Sequence, residues 1–454
     1  MSASHNVKPP FASALAAIAC LMSLPAGGQV FGPEGAEYQI IGPIAGDQMH
    51  AALALRDGYG FVVWQDSRSD GEGSGIGARQ LGGTFNSGTS PSFRVNSSRG
   101  GDQEKPKVAV LTDKSTLFVW QTGTEGAQKI VGRILLANGA FAGQEFDISD
   151  PAAGASIDPD IAALPGGKAA VTWSTFGPDG DLQGVFGQVI GSGGISPEGF
   201  VFQANQFFRF NQRNPSVSAL SDGRFVIAWI SEQQRLVGSE AGTKPSVDVY
   251  ARIFESSGEP ASLEFRLNES NQICANPSIA GLQGGGFLAS WTERSLIRSN
   301  SWDVRVSWHS SSGAAVGSKQ LANSFLPGDQ ILPSVAVLGD RQLVAWTSTY
   351  QDGNREGVYA QLFRNGAKVG DEFRVNDWIL GRQIHPVVAS DNQNRLAVVW
   401  SSFVGTQGFD LHAKRYSLAG TLPSPDSPMA VPFGFGGIQV SWAPVGGYPS
   451  ASFE

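Results

Sequence analysis

Seven tryptophans set the frame of this chain. Trp64, Trp120, Trp173, Trp229, Trp291, Trp346 and Trp400 each close a short apolar run, and they fall 56, 53, 56, 62, 55 and 54 residues apart. The run at Trp229, SDGRFVIAWIS (221–231), returns in altered spelling as RDGYGFVVWQD, LPGGKAAVTWST, LQGGGFLASWTE, GDRQLVAWTST and DNQNRLAVVWSS. A Pro stands fourteen residues before five of these Trp (Pro106, Pro159, Pro215, Pro277, Pro386), and Pro333 stands thirteen before Trp346. The first repeat has His50 in that place. A fixed period of this length means one supersecondary unit that buries its apolar face only by stacking on its neighbours.

Each unit reads as four strands. The first follows the Pro, as in PSVSAL (215–220), where a residue without an N–H is tolerated because the ladder has not begun. An Asp-Gly or Gly-Gly turn leads to the second strand, which ends in the Trp. A variable polar loop follows, then a third strand (GIGARQL, IVGRIL, VFGQVI, DVYARIF, DVRVSW, GVYAQLF, DLHAKRY). The fourth is SFRVN, EFDIS, VFQAN, EFRLN or EFRVN. The last two strands alternate apolar and polar as half-exposed strands do, whereas the first two are more continuously apolar. No stretch beyond the N-terminal segment reads as helix. The expected fold is therefore all-β: a seven-bladed β-propeller of four-stranded blades. Units of this size are too small for independent sandwich domains of ~100 residues.

The repeats lie near 49–98, 103–150, 156–205, 212–269, 274–323, 330–376 and 383–422. The seventh lacks an outer strand. That strand is expected at 37–41, because GAEYQIIGPIAGDQMHAALA (35–54) has the layout of GDEFRVNDWILGRQIHPVVA (370–389). The propeller then spans 37–422 and closes through its N-terminal strand, which hides the sheet edges. The Trp are expected to pack against neighbouring blades.

Composition narrows the class of partner. Gly is 58 of 454 residues, charged residues are only 16%, and the net charge is −8. Tight turns between short strands need that much Gly, and the acidic balance argues against nucleic acid. Residues 1–26 read as an export signal: FASALAAIACLMSLPAGG is apolar, short and followed by small residues around Ala26. A lipoprotein variant would use Cys20. The expected location is secreted, extracellular or periplasmic, as a monomer with no membrane span after signal removal. Only Cys274 would then remain, so the core alone must hold the fold.

At DGRFVIAW…VDVYARIFESSGEP…EFRLN the pattern resembles the Gly-Gly-Phe-Val-Val-x-Trp repeats of large exported bacterial proteins, many of them calcium-binding repeat toxins or adhesin-like surface proteins. The resemblance covers 37 to about 422 and implies secretion and a binding or scaffolding role. The nonapeptide calcium arrays that often accompany such repeats are not present. Residues 423–433 (PSPDSPMAVPF after the first turn) read as a Pro-rich linker, and 434–454 resemble the opening strands of a fibronectin type III-like domain with Trp442 as its core Trp.

In a propeller the connections from one blade to the next share a face with the loops between second and third strands. The longest such loop is expected at 231–247. Acids near Gly in these loops (Asp66, Asp70 and Glu72; Asp179 and Asp181; Asp352 and Glu356) are candidates for calcium, against the plain alternative of turn capping. No other cofactor is indicated. Gln103, Gln212, Gln330 and Gln383, three before each Pro, are candidates either for a ring of amides at the channel mouth or for bonds to the next blade's backbone. The Asn at the end of the fourth strand (Asn96, Asn205, Asn268, Asn323, Asn376) reads as a turn cap. Unrepeated aromatics are the candidate ligand contacts: Phe207, Phe208 and Phe210 in NQFFRFNQ, and Trp378 in the corresponding connection of the sixth repeat.

No metalloprotease, nucleophile-elbow or P-loop motif is found. The sequence expectation is a ligand-binding or scaffold module whose partner is a polysaccharide or a surface protein. The alternative is an extracellular carbohydrate-active hydrolase or lyase with a carboxylate pair at the channel mouth.

Overall fold

Each of the first six repeats folds into one antiparallel sheet whose four strands run outward in chain order from a central channel, and the seventh gives three strands of such a sheet. The computed structural model describes residues 30–42, 44–68, 71, 73–82, 85, 91–191, 197–239, 242–294, 301–403, 405, 408–419, 429–433 and 437–441. Blade 1 is Gln48–Arg56, Tyr59–Asp66, Gly75–Leu81 and Phe93–Arg94. The inner strands of blades 2 to 7 are Asp102–Val110, Ser156–Leu164, Gln212–Ala219, Cys274–Gly281, Gln330–Leu338 and Gln383–Ser390. The fold is a seven-bladed propeller, and the helix among the described residues amounts to two 3-10 turns, Pro151–Ala153 and Pro165–Gly167.

The seven Trp are the core. All are at most 1% exposed. Each packs on the blade before its own: Trp229 with Leu164 and Val185, Trp291 with Val226 and Ile253, Trp400 with Leu343 and Val358, Trp64 with Ala397 and Val399 across the seam between blades 7 and 1. Burying this much aromatic surface at every interface makes the ring one cooperative core. One of these Trp sits so close to the neighbouring strand that it fixes the residue there. A Cβ at Gly77 would lie 2.3 Å from Cε2 of Trp64, so only Gly fits opposite that ring.

The seam closes as the layout predicts, and by more chain than predicted. Tyr38–Gln39 pairs with the third strand of blade 7, Phe409–Ala419. Val30–Pro33 pairs with the far end of the same strand, Val30 opposite Ala419. Ile40 and Ile41 behind this strand are buried, each contributing roughly 2 kcal/mol. Glu34 ion-pairs with Arg395 and Arg415, and Glu37 Oε1 lies within hydrogen-bond distance of His412 Nδ1, at 3.0 Å.

Three repeated polar devices tie the blade rims. The Asn at the end of the outer strand accepts from a third-strand N–H and donates to the carbonyl two residues on; Asn376 bonds Val358 N and Trp378 O, each at 2.8 Å. Asn96, Asn205, Asn268 and Asn323 do the same. The Glu that opens the outer strand of blades 2, 4, 6 and 7 (Glu145, Glu264, Glu372, Glu37) accepts from the two N–H groups that follow the Asn or its neighbour on the preceding connection. The buried Gln103, Gln212, Gln330 and Gln383 donate to carbonyls of their own connection. They therefore neither line the channel nor bond the next blade, because an amide next to a turn finds the turn's free carbonyls first.

Two expectations are corrected. The Pro of each repeat does not head its inner strand. The strand begins three or four residues earlier and the Pro sits inside it, at a β-bulge: the register breaks between Glu104 and Lys107, Ile157 and Asp160, Arg213 and Ser216, and likewise in every other blade. A bulge leaves one residue out of the ladder, so the missing N–H costs nothing there. The segment 231–247 is not a loop. The second and third strands of blade 4 extend to Phe225–Ser239 and Gly242–Phe254 and form a long hairpin, with Leu236 opposite Pro245. At the C-terminus Met429–Phe433 pairs with Gly437–Ser441. The N-terminal 1–26 segment, Cys20 and Trp442 lie outside the described residues.

Candidate functional site

The bulge places one residue per blade at the channel mouth. The residue before each Pro, and His50 in blade 1, adopts a left-handed backbone: His50, Lys105, Asp158, Asn214, Asn276, Leu332 and His385 have φ between +48° and +57°. Left-handed conformation at non-Gly residues is held only where the surrounding structure over-determines it, and such residues gather at functional sites. Here the ladder on both sides of the bulge does the holding. All seven line a cavity of 440 Å³ at the end of the channel where the inner strands begin. That end carries the blade-to-blade connections and the turns between second and third strands.

The mouth is chemically lopsided. Blades 7, 1, 2 and 3 contribute His385, His50, Lys105 and Asp158; blades 4, 5 and 6 contribute Asn214, Asn276 and Leu332. The two imidazoles stack across the seam, with centroids 5.1 Å apart and planes 19° from parallel. Lys105 pairs with Asp158, and one step deeper Lys107 pairs with Asp160 at 3.1 Å. Asp160 also accepts from Val217 N at 2.9 Å, and Asp158 N donates to Gln121. Ser278 and Ser334 accept from the inner strand of the following blade in the same way. Both lysine side chains stay about two-fifths exposed, so their ammonium groups can meet a ligand while holding their acids.

Burial holds both histidines neutral at ordinary pH. It lowers the pKa of His50, with the charges of Lys105 and Lys107 adding to the effect. His385 is pushed down from 6.5 to about 4, by burial first and then by His50 and Arg382. Its backbone N–H donates to Thr347, and its Nδ1 is buried without a partner. A neutral imidazole beside two ammonium groups can take a proton from a carbon or oxygen acid whose developing charge the lysines meet.

The residues singled out from sequence fall elsewhere on the same face. Phe208 and Trp378 are exposed on their connections, 51% and 56%, while Phe207 and Phe210 are half-buried. The acids are not brought together: Asp66, Asp179 with Asp181, and Asp352 belong to blades 1, 3 and 6. Asp66 is buried and accepts from Trp64 Nε1 and Arg68 N. Asp179 accepts from Asp181 N and Gln203, Asp181 from Phe210 N, and Asp352 from Asn354 N. Glu356 holds Arg382 through two bonds of 2.9 Å. Asp70 and Glu72 lie outside the described residues. Among the described residues no three His, Cys, Asp or Glu side chains group as cation ligands, and no helix is long and apolar enough to cross a membrane.

No family model matches the chain, and no curated protein matches it. Solved structures do. The polysaccharide lyase Uly1 superposes with a TM-score of 0.51 at 11% identity, covering 85% of this chain and 93% of that one. A protein of unknown function from Dyadobacter fermentans gives 0.49 at 11% identity over 87% of this chain and all of that one. An α-L-arabinofuranosidase of Fusarium graminearum, in complex with arabinobiose, gives 0.48 at 13% identity over 73% and 98%. At these identities the likeness is one of fold.

Proposed function

We propose that this protein is an exported carbohydrate-active enzyme that seats a uronate-containing polysaccharide at the channel mouth and cleaves it by β-elimination. One observation carries the reading: a stacked histidine pair, held neutral and flanked by two lysines, at the end of the channel where the bulged residue of every blade lines one cavity. The alternative hydrolase chemistry needs two carboxyl groups facing each other, one free to donate. The carboxylates at the mouth, Asp158 and Asp160, are each engaged by a lysine instead. The activity of the lyase with a like fold agrees with the reading, but the mouth's own groups are what favour it.

In this scheme Lys105 and Lys107 meet the uronate carboxylate. The bound charge offsets the two ammonium groups that add to burial in depressing His50, so the substrate relieves that part of the depression. His50 takes the C5 proton, the C4–O bond breaks with its electron pair on the leaving glycosidic oxygen, and a C4=C5 double bond forms. The leaving oxygen takes a proton from the imidazolium or from water. His385, stacked on His50, fixes the ring's plane. Asn214 and Asn276 across the mouth offer amides to neighbouring hydroxyls.

The test is incubation with alginate, polygalacturonate, hyaluronan and other uronate polymers, reading the ultraviolet absorbance of the unsaturated product. His50→Asn should lower the rate by about 10² or more, and Lys105→Met should raise KM. No product from any uronate polymer overturns elimination. Binding without product would leave a carbohydrate-binding module, the reading that the exposed Phe208 and Trp378 favour by themselves.

A further inference from the structure

The two halves of the mouth differ in charge, and the elimination scheme uses chiefly one of them. Among the described residues that line the 440 Å³ cavity, the charged side chains are Lys105, Lys107, Asp158 and Asp160, all from blades 2 and 3. Blades 4, 5 and 6 bring Asn214, Asn276 and Leu332 to the bulge, and Ser216, Ser278 and Ser334 one step deeper, with no charge among them. A cavity of this volume takes a ligand of drug size, larger than one sugar ring. A polymer that crosses the mouth with its uronate on Lys105 and Lys107 lays the sugar linked to it against the uncharged half.

Leu332 is the residue in that half that local structure does not account for. Asn adopts a left-handed backbone more readily than most residues with a side chain, so Asn214 and Asn276 suit their bulges. Leu332 gains nothing from that backbone: φ +57° is an outlier for a side chain of its bulk. Nor does it serve the core. It is half-buried, and it belongs to neither of the apolar clusters that blade 6 forms with its neighbours. A strained apolar residue on a polar wall fits an apolar contact with whatever the cavity holds.

Its surroundings say what kind of group that is. Asn276, on the preceding blade, offers an amide donor and an amide acceptor. Ser278 and Ser334 accept from Val335 N and Val388 N, which leaves each hydroxyl able to donate. A methyl on Leu332 and an amide on Asn276 are what the acetamido group of an N-acetylated amino sugar presents. A second uronate would instead bring its carboxylate out of water against Leu332 with no cation to meet it, which is costly.

We infer that the mouth takes a uronate joined to an N-acetylated amino sugar, and that Leu332 sets the preference for this alternating polymer over polymers of uronate alone. The inference rests on the elimination reading for the place of the uronate. It is tested with hyaluronan, in which glucuronate alternates with N-acetylglucosamine, against polygalacturonate and alginate. Short oligosaccharides of each are titrated by calorimetry into the whole protein, as wild type and as His50→Asn, in which turnover does not consume the ligand. Unsaturated product is read separately by absorbance.

Hyaluronan oligosaccharides should bind about tenfold more tightly than those of the other two, the order that one small apolar contact supplies. Leu332→Lys gives the second sugar the missing cation and should abolish that lead; Lys105 holds the same place in blade 2 at φ +48°, so the backbone accepts the residue. Leu332→Asn, the residue of blades 4 and 5, should reduce the lead without supplying a charge. An unchanged melting temperature checks that each variant folds. Equal or tighter binding of galacturonate or alginate oligomers by wild type, or a hyaluronan lead that neither variant moves, overturns the inference, and product formed from any of the polymers would then leave elimination standing. A hyaluronan lead that depends on Leu332, with no product, upholds the inference and removes elimination. Neither binding nor product with any polymer overturns both.

Discussion

A single imidazole carries the sharpest pH signature in the molecule. His385 titrates near 4 in the fold and near 6.5 in the unfolded chain, because burial and the neighbouring His50 and Arg382 disfavour its charged form. Between those values the unfolded chain binds a proton that the native state refuses. Stability should therefore fall as pH drops from 6.5 toward 4, level off below that, and be indifferent to this group above 6.5. His385→Asn, neutral throughout, should flatten that part of a melting-temperature profile; an unchanged acid limb would show that other groups set it. The layout of 35–54 against 370–389 sets His50 opposite His385, and the matching bulges at Met49/Ala52 and Ile384/Val387 confirm it, so His50 stands at the residue before the Pro position and not, as the count back from Trp64 suggests, in the Pro's own place. That they touch is not legible in the sequence, because they come from the first and last repeats and meet only when the ring closes. Lys105 and Asp158 were equally invisible as a pair, 53 residues apart on adjacent blades.

At the scale of the element, the rim turns are built by side chains rather than by backbone propensity. Asn376→Ala would leave the Val358 N–H without its buried acceptor and free the Trp378 turn. The expected loss is about 2 kcal/mol, measured by denaturant unfolding. Less than about 0.5 kcal/mol would mean that the Glu37 contact alone fixes the turn. The Asn was legible as a cap because it recurs at one place in the pattern. The place of the recurring Pro is not legible, since a bulge in mid-strand and a strand head look alike in one dimension. The blade 4 hairpin is hidden for a different reason. Near its tip that extension is largely exposed, at Leu236, Gly238 and Thr243 to Pro245, and an exposed hairpin has no reason to alternate.

At the scale of the whole molecule, the ring depends on its first strand. Removing residues 1–29 should leave the melting temperature nearly unchanged. Removing 1–41 strips Tyr38, Ile40 and Ile41 from the blade 7 seam and bares a strand edge, and should lower it by about 10 °C or cause aggregation. Equal stability of the two truncations would mean that the seam holds without its outer strand. The sequence by itself determined the blade count, the four-stranded unit, the Trp core and the strand that closes the ring, because each follows from a periodic pattern that a one-dimensional reading preserves. Only the tertiary structure decided where chemistry can occur. The mouth is made of short stretches from each of seven repeats, brought together by a bulge and by closure, and no one stretch of chain contains both histidines or a lysine with the acid it pairs.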